Sequence, residues 1–390
     1  MTDSTSSSTA IRQRHIIVPY GTRPEIIKLA PVVRALRAGG HRVTTVNTGQ
    51  HSQTAMSADL SLALGLDATV TNVLGLDRSL RLGQIVSDAL RIVTERRPDL
   101  VLALGDTDTV PAYALAAKRS SVPFVHLEAG LRSFNQRSAE ELNRKIGSAS
   151  ASLHLAPTQR SRTFLRSEGI SDERIRVVGN SVIDALVTTG LGPLQTAERS
   201  GVLVTAHRAT NVDDPERLAR FLNLVNDLAG SIGPVIFPVH PRTAQRMAQF
   251  LPEFRVHDDV TLSPPLGYLS FIDHLRRSLL VVTDSGGLQE EASYFGVPLV
   301  VLRGSTSRWE SVENGSLQLA SLHDDQSAHK ALESARELTS DESLRNISSI
   351  PCPYGDGHTG EKVASLLADP ALDPYLILEE PSFLDGEVPW

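Results

Sequence analysis

Residues 100–144 read LVLALGDTDTVPAYALAAKRSSVPFVHLEAGLRSFNQRSAEELNR. Leu100–Leu104 and Val122–Val125 are apolar runs of strand length, while Thr107–Lys118 and the stretch from Ser138 carry a helical period. Strand, helix, strand, helix at this spacing predicts a parallel, doubly wound sheet. Each predicted strand runs out onto an acid: Asp106 in GDT and Glu128 in HLE, with Glu140 and Glu141 opening the next helix. Open α/β sheets bind ligands outside the carboxyl ends of their strands, so these acids are expected to share a crevice and to move protons there.

Upstream, His15–Pro19 is a short apolar strand followed by GTRPE (21–25) and an amphipathic helix bearing Ile26, Ile27, Leu29, Val32, Val33 and Leu36. Pro24 suits the first turn of that helix. A helix amino end with Arg23 and Lys28 beside it is a ready place for phosphate, although solvated bases on an ordinary strand-to-helix loop would look the same. Arg42–Thr48 reads as a strand, GQH (49–51) as its loop, and a helix is expected through Leu64, then another over Leu80–Arg96. Downstream, strands are expected at Leu153–Ala156 and Ile175–Val178 around a helix over Gln159–Ser167. The polar segment Thr188–Ser200 is expected to be an inter-domain linker.

The alternation restarts at Gly201. Strands are expected at Val202–Thr205, Val235–Val239, Leu279–Thr283 and Pro298–Leu302, with helices over Asp214–Leu228, Arg242–Phe250, Leu269–Arg277 and after DSGG. The expectation is an α/β protein of two Rossmann-like domains, 15–187 and 201–352, facing across a cleft. Residues 1–14 read as a disordered leader and 369–390 as an irregular tail.

A chain of 390 residues is long for a single core, so two domains fit its length. The formal charge of -7 argues against nucleic acid or a membrane surface as partner. No apolar run nears the roughly 18 residues of a membrane span. Cys352 alone permits no intrachain disulfide and no cysteine metal cluster, which suits the cytoplasm. Without HxH or HExxH spacing no metal site is expected, and without GxGxxG after the first strand no nicotinamide cofactor.

In the second half, Asp284-Ser285-Gly286-Gly287 opens a helix after a strand, where small residues and free N–H groups can hold a diphosphate. Glu290 and Glu291 follow, and a carboxylate accepts both hydroxyls of a ribose diol. Helix capping by Ser285 is the plainer reading. Arg303 and Arg308 follow the next strand and can reach the same phosphates. His207 and His240 each lie just beyond a strand, which raises the interest of both.

The ordered set GTRPE (21–25), TGQH (48–51), GDT (105–107), HLEAGLR (126–132), EELNR (140–144), GNSVIDAL (179–186), TAHR (205–208), PVHP (238–241), TDSGGLQEE (283–291) and PYGDG (353–357) resembles the non-hydrolysing UDP-N-acetylglucosamine 2-epimerases. The likeness runs from about Ile16 to Lys362. It implies a GT-B-like fold with a C-terminal helix, 353–368, that crosses back to the first domain. It implies interconversion of UDP-N-acetylglucosamine and UDP-N-acetylmannosamine through elimination of UDP to a 2-acetamidoglucal and re-addition, with no cofactor. Asp106, Glu128, Glu140 and His207 would be catalytic. Arg23, Lys28, Phe271, Ser285, Gly286, Gly287, Glu291 and Arg308 would hold UDP and sugar. Gln50, Gln53 and Arg208, with His240, would form a site for a second UDP-N-acetylglucosamine as activator, and a homodimer is implied.

The chain departs from the family pattern at Leu104, Asp108, Ala139, Thr210, Leu266, Gly267 and Trp309. Those changes fall near sugar, base and activator positions, which keeps open a paralogue acting on another UDP-hexose. A hydrolysing epimerase, a glycosyltransferase and an inactive UDP-sugar sensor are the other readings.

Overall fold

The computed structural model describes residues 12–50, 69–70 and 76–378. His51, Gln53 and most of the helix expected through Leu64 lie outside them. Among the described residues, those up to Leu131, those from Gln136 to Ser181 and those from His358 onward form one compact unit; Arg132–Asn135 and Val182–Gly357 form a second.

The first unit is built on a seven-stranded sheet in the order β3-β2-β1-β4-β5-β6-β7, parallel throughout. Its strands are β1 His15–Tyr20, β2 Arg42–Asn47, β3 Thr69–Val70, β4 Leu100–Leu104, β5 Phe124–Leu127, β6 Leu153–Ala156 and β7 Ile175–Val177. Alternate residues feed opposite faces. Ile16, Val18, Leu102 and Leu104 pack into one apolar layer with the helix Arg23–Ala38, while Ile17, Val101 and Ala103 pack into the other with Tyr113 and Ile92. A strand buried on both sides has no polar face, which is why LVLAL is apolar at every position.

The second unit carries a six-stranded parallel sheet ordered β10-β9-β8-β11-β12-β13. These are β8 Val202–Thr205, β9 Val235–Pro238, β10 Val260–Ser263, β11 Leu280–Thr283, β12 Leu299–Leu302 and β13 Leu317–Ala320. Again Val202 and Val204 face one layer and Leu203 the other. In both sheets the strand order reverses once: between β1 and β4, and between β8 and β11. The loops leaving those four strands are GTRPE, GDT, TAHR and DSGG.

Three expectations about boundaries need correcting. The helix Ser181–Thr188, assigned from sequence to the first domain, packs with the second: Val182, Ile183 and Leu186 are buried among Leu203, Leu275 and Val281. The crossing therefore comes at Ser181 and not in the polar segment after Thr188. Arg14, placed in the leader, is buried; its Nε donates to Leu367 O at 2.8 Å and its Nη2 to Asp373. The tail is also ordered as far as Leu378, with Leu372 and Leu376 in the first unit's core. The helix Thr359–Ala368 lies on the helix Arg23–Ala38, so close that a Cβ at Gly360 would sit 2.8 Å from Pro31 O.

Candidate functional site

Polar side chains gather at the reversal point of each sheet. In the first unit the chain leaves β1 through Gly21, where a Cβ would fall 2.2 Å from Thr48 Oγ1; only glycine lets this loop pass the end of β2. Glu25 closes the loop. Its Oε2 accepts the N–H groups of Gly21 and Thr22 at 2.9 and 2.8 Å and the Thr22 hydroxyl at 2.8 Å. Its Oε1 accepts the Thr107 hydroxyl at 2.8 Å, tying the β1 loop to the β4 loop. Complete burial pushes the Glu25 carboxyl up to about 7 against those donors.

Asp106 follows β4, and the helix Ala139–Ser150 reaches it from the other side. Asn143 Nδ2 donates to Asp106 O at 2.9 Å, and Arg144 Nη2 pairs with its carboxylate. Arg144 Nη1 holds Glu141 at 2.7 Å, with both side chains buried. The guanidinium thus bridges two carboxylates. Glu140, one residue earlier, is half-buried and accepts from the Ser138 hydroxyl.

Glu128 follows β5 with φ of 63°, a left-handed backbone that non-glycine residues rarely adopt. Its Oε1 accepts from Lys28 Nζ at 2.5 Å and from Asn180 Nδ2 at 2.7 Å. Its Oε2 lies against Gly105, the residue before Asp106: a Cβ there would come within 3.2 Å, and φ of 78° already calls for glycine. Lys28, expected to hold phosphate, is engaged with this acid. Arg23 begins the helix Arg23–Ala38 and is half-buried. Gln50 accepts from the Thr109 hydroxyl at 3.1 Å, beside the β1 loop.

In the second unit Asp284 is the fixed point. It is wholly buried and accepts the backbone N–H groups of His207 and Arg208 and the side-chain amide of Asn211, at 2.9–3.2 Å. His207 Nδ1 stands 3.2 Å from Asp284 Oδ1, and its ring is 5.4 Å from that of His240. Burial lowers the His207 imidazole below its ordinary 6.5, Asp284 opposing, so the ring is neutral at neutral pH. Arg208 Nε donates to Asp284 O at 2.9 Å. His240 caps the helix Pro241–Phe250.

Gly286 has two guanidinium groups near it, Arg303 Nη1 and Arg308 Nη1, at 3.4 and 3.8 Å from where its Cβ would be. Arg308 is buried, and both its Nε and Nη2 donate to Glu290 Oε1, at 2.8 and 2.7 Å. Ser285 is half-buried and Gly287 exposed. Glu291 accepts the Tyr268 hydroxyl at 3.1 Å, and Phe271 packs on the same apolar cluster as Tyr268. This unit offers cations and backbone N–H groups to an anion; the first offers carboxylates to a proton. Reading the sequence alone does not single out Asn180 or Arg144, and it names Glu290 only as a ribose partner and Asp284 only as the head of DSGG. Asp284 had one signal, an acid directly behind the apolar run LVVT.

Two doubly wound parallel sheets with polar clusters at their reversal points define a GT-B-like α/β protein. The model of the UDP-N-acetylglucosamine 2-epimerase family matches residues 34–368, and the chain belongs to that family. It is 33% identical over 367 residues to a UDP-N-acetylglucosamine 2-epimerase of Methanococcus maripaludis, covering 89% of this chain and 96% of that protein. It is 32% identical to the UDP-2,3-diacetamido-2,3-dideoxy-D-glucuronate 2-epimerase of Pseudomonas aeruginosa, covering 90% and 99%. The crystal structure of Methanocaldococcus jannaschii UDP-GlcNAc 2-epimerase in complex with UDP-GlcNAc and UDP matches with a TM-score of 0.79 at 30% identity, covering 90% of this chain and 99% of that one. Among the described residues no helix is long and apolar enough to cross a membrane.

Proposed function

We propose that this chain is a cytoplasmic, non-hydrolysing UDP-sugar 2-epimerase that interconverts UDP-N-acetylglucosamine and UDP-N-acetylmannosamine. The hydrogen on carbon 2 has no adjacent carbonyl, so its removal is coupled to departure of UDP from carbon 1. A carboxylate takes the carbon 2 proton as the carbon–oxygen bond to UDP breaks, leaving a 2-acetamidoglucal. Re-addition of UDP with a proton delivered to the opposite face completes the exchange. Acids for both faces come from Asp106, Glu128 and Glu140. Arg23, Arg308, Ser285, Gly286 and Gly287 are assigned to the diphosphate, Glu291 to the ribose and Phe271 to the uracil. Neutral His207 is assigned to the departing diphosphate, and Lys28 to Glu128 and the anion together. Gln50, Gln53, Arg208 and His240 remain assigned to an activator, although the His207 and His240 rings are neighbours. A homodimer belongs to the same reading.

The observation that carries the reading is the acid pair at the first reversal point: Glu128 in a left-handed backbone against Gly105, and Asp106 held by Arg144. Turnover in deuterated water tests it. Recovered UDP-N-acetylglucosamine should carry deuterium at carbon 2, with UDP-N-acetylmannosamine formed beside it. Accumulating UDP and free sugar without that product would identify a hydrolase instead. Another UDP-hexose is the second reading, favoured by the Pseudomonas relative and by the changes at Ala139, Thr210 and Trp309. It requires the same wash-in on a different sugar.

A further inference from the structure

We infer that Asn180 is a positioning residue for Glu128, an inference that rests on the epimerase reading. Asn180 lies in GNSVIDAL, directly after Gly179 with φ of 97° and directly before the helix Ser181–Thr188. Residues at such a place commonly cap the helix, and they do so with an oxygen acceptor. The amide nitrogen of Asn180 is a donor and has no use in a cap. It is spent on Glu128 Oε1, 2.7 Å away and 52 positions earlier in the chain. Asn180 is 1% exposed and Glu128 5%.

Lys28 donates to the same oxygen at 2.5 Å from the helix Arg23–Ala38. Two donors from two elements, converging on one oxygen, fix the rotation of a carboxylate that a single donor would leave free to swing. With Oε1 held in that way, Oε2 is set against Gly105, the residue before Asp106. Lys28 touches this carboxylate; after Gly105 comes Asp106, linked through Arg144 to Glu141, and His126 Nε2 is 2.8 Å from Gly105 O. Lys28 supplies charge; the neutral amide supplies direction. A proton passed between this carboxylate and a ring carbon needs that direction, because an off-axis oxygen transfers slowly.

The test uses the full chain with Asn180→Ala and Asn180→Asp. Asn180→Ala should lower kcat and the rate of deuterium entry at carbon 2 about 10- to 100-fold, the worth of a hydrogen bond to a charged group. UDP alone should bind as it does to the natural chain, because Lys28, the assigned anion contact beside Asn180, keeps its own bond to Glu128 Oε1. Asn180→Asp keeps the shape and adds a like charge, so the acidic limb of its kcat/KM profile should move up by about 1 unit. Wild-type rates of wash-in from both variants would overturn the inference, as would losses that track the folded fraction at every pH with no movement of the limb. An inactive natural chain would instead sink the epimerase reading.

Discussion

Nδ1 of His207 faces Oδ1 of Asp284 across 3.2 Å, and the same carboxylate accepts the backbone N–H of His207 itself. One acid therefore sets both the main chain and the ring of this histidine. Asp284→Asn would put an amide N–H₂ among groups that are already donors, at a side chain with no exposure to solvent. The expected cost is about 3 kcal/mol, typical of breaking a buried charged network. It would be read as a lower denaturant midpoint, and turnover per folded molecule should fall as His207 loses its fixed tautomer. Unchanged turnover and midpoint would show that Asp284 positions nothing.

The two neighbouring imidazoles make a prediction about acid. Burial lowers both His207 and His240, and for His240 the next largest influence is His207. A histidine whose folded pKa is depressed binds fewer protons folded than unfolded. Stability is thus undiminished above the unfolded value near 6.5 and declines as pH falls through it toward the folded values. Denaturant midpoints of the natural chain should drop between pH 7 and 5 more steeply than those of a His207→Gln, His240→Gln double variant. Equal slopes would contradict the assignment.

Glu25 has the opposite sign. Its folded carboxyl, near 7, lies above the ordinary 4.5 because burial outweighs four donors. The folded state then holds more protons than the unfolded state between those values, so stability declines as pH rises from 4.5 to 7 and the full cost remains above that. Glu25→Gln keeps the oxygen that serves Gly21 and Thr22, and its new N–H₂ can donate to Thr107 Oγ1. At pH 8 this variant should melt no lower than the natural chain. A lower midpoint there would mean that the carboxylate stabilises the loop as an anion.

The sheets were legible because they are made of local signals: runs such as LVLAL and LVVT are apolar at every position, and Gly- and Pro-bearing loops punctuate them. Candidate site residues stood out in the sequence where one follows such a run, as Asp106, Glu128 and His207 do. Partners did not. Lys28 to Glu128 spans 100 positions and Asn180 to Glu128 spans 52, and nothing within either short stretch encodes the other. The helix Ser181–Thr188 was misassigned for a related reason. Its apolar residues fit either core, and what decides is the presence of Leu203 and Val281. Arg14 and Asp373 show the same at the ends of the fold, where polar composition concealed a part-buried pair.

Arg144 carries the sharpest prediction about the acids. Its two terminal nitrogens serve different carboxylates, Asp106 through Nη2 and Glu141 through Nη1. A planar fork can do this while staying buried, whereas a lysine ammonium is a single point and can satisfy only one of them. In Arg144→Lys, one of two neighbouring carboxylates loses its cation, and repulsion between them should draw protons onto the pair. Turnover should fall about 10- to 100-fold at pH 7, as expected when a charged hydrogen bond to a reacting group is lost. Affinity for UDP should hold, since Arg144 is not among its assigned contacts. Glu141→Gln in the lysine background removes the competing acid and leaves the ammonium to Asp106, so it should restore part of the lost rate. If the double variant is no faster than Arg144→Lys, Arg144 acts on the fold of the helix Ala139–Ser150 and not on Asp106, which thermal midpoints of the two variants would register directly.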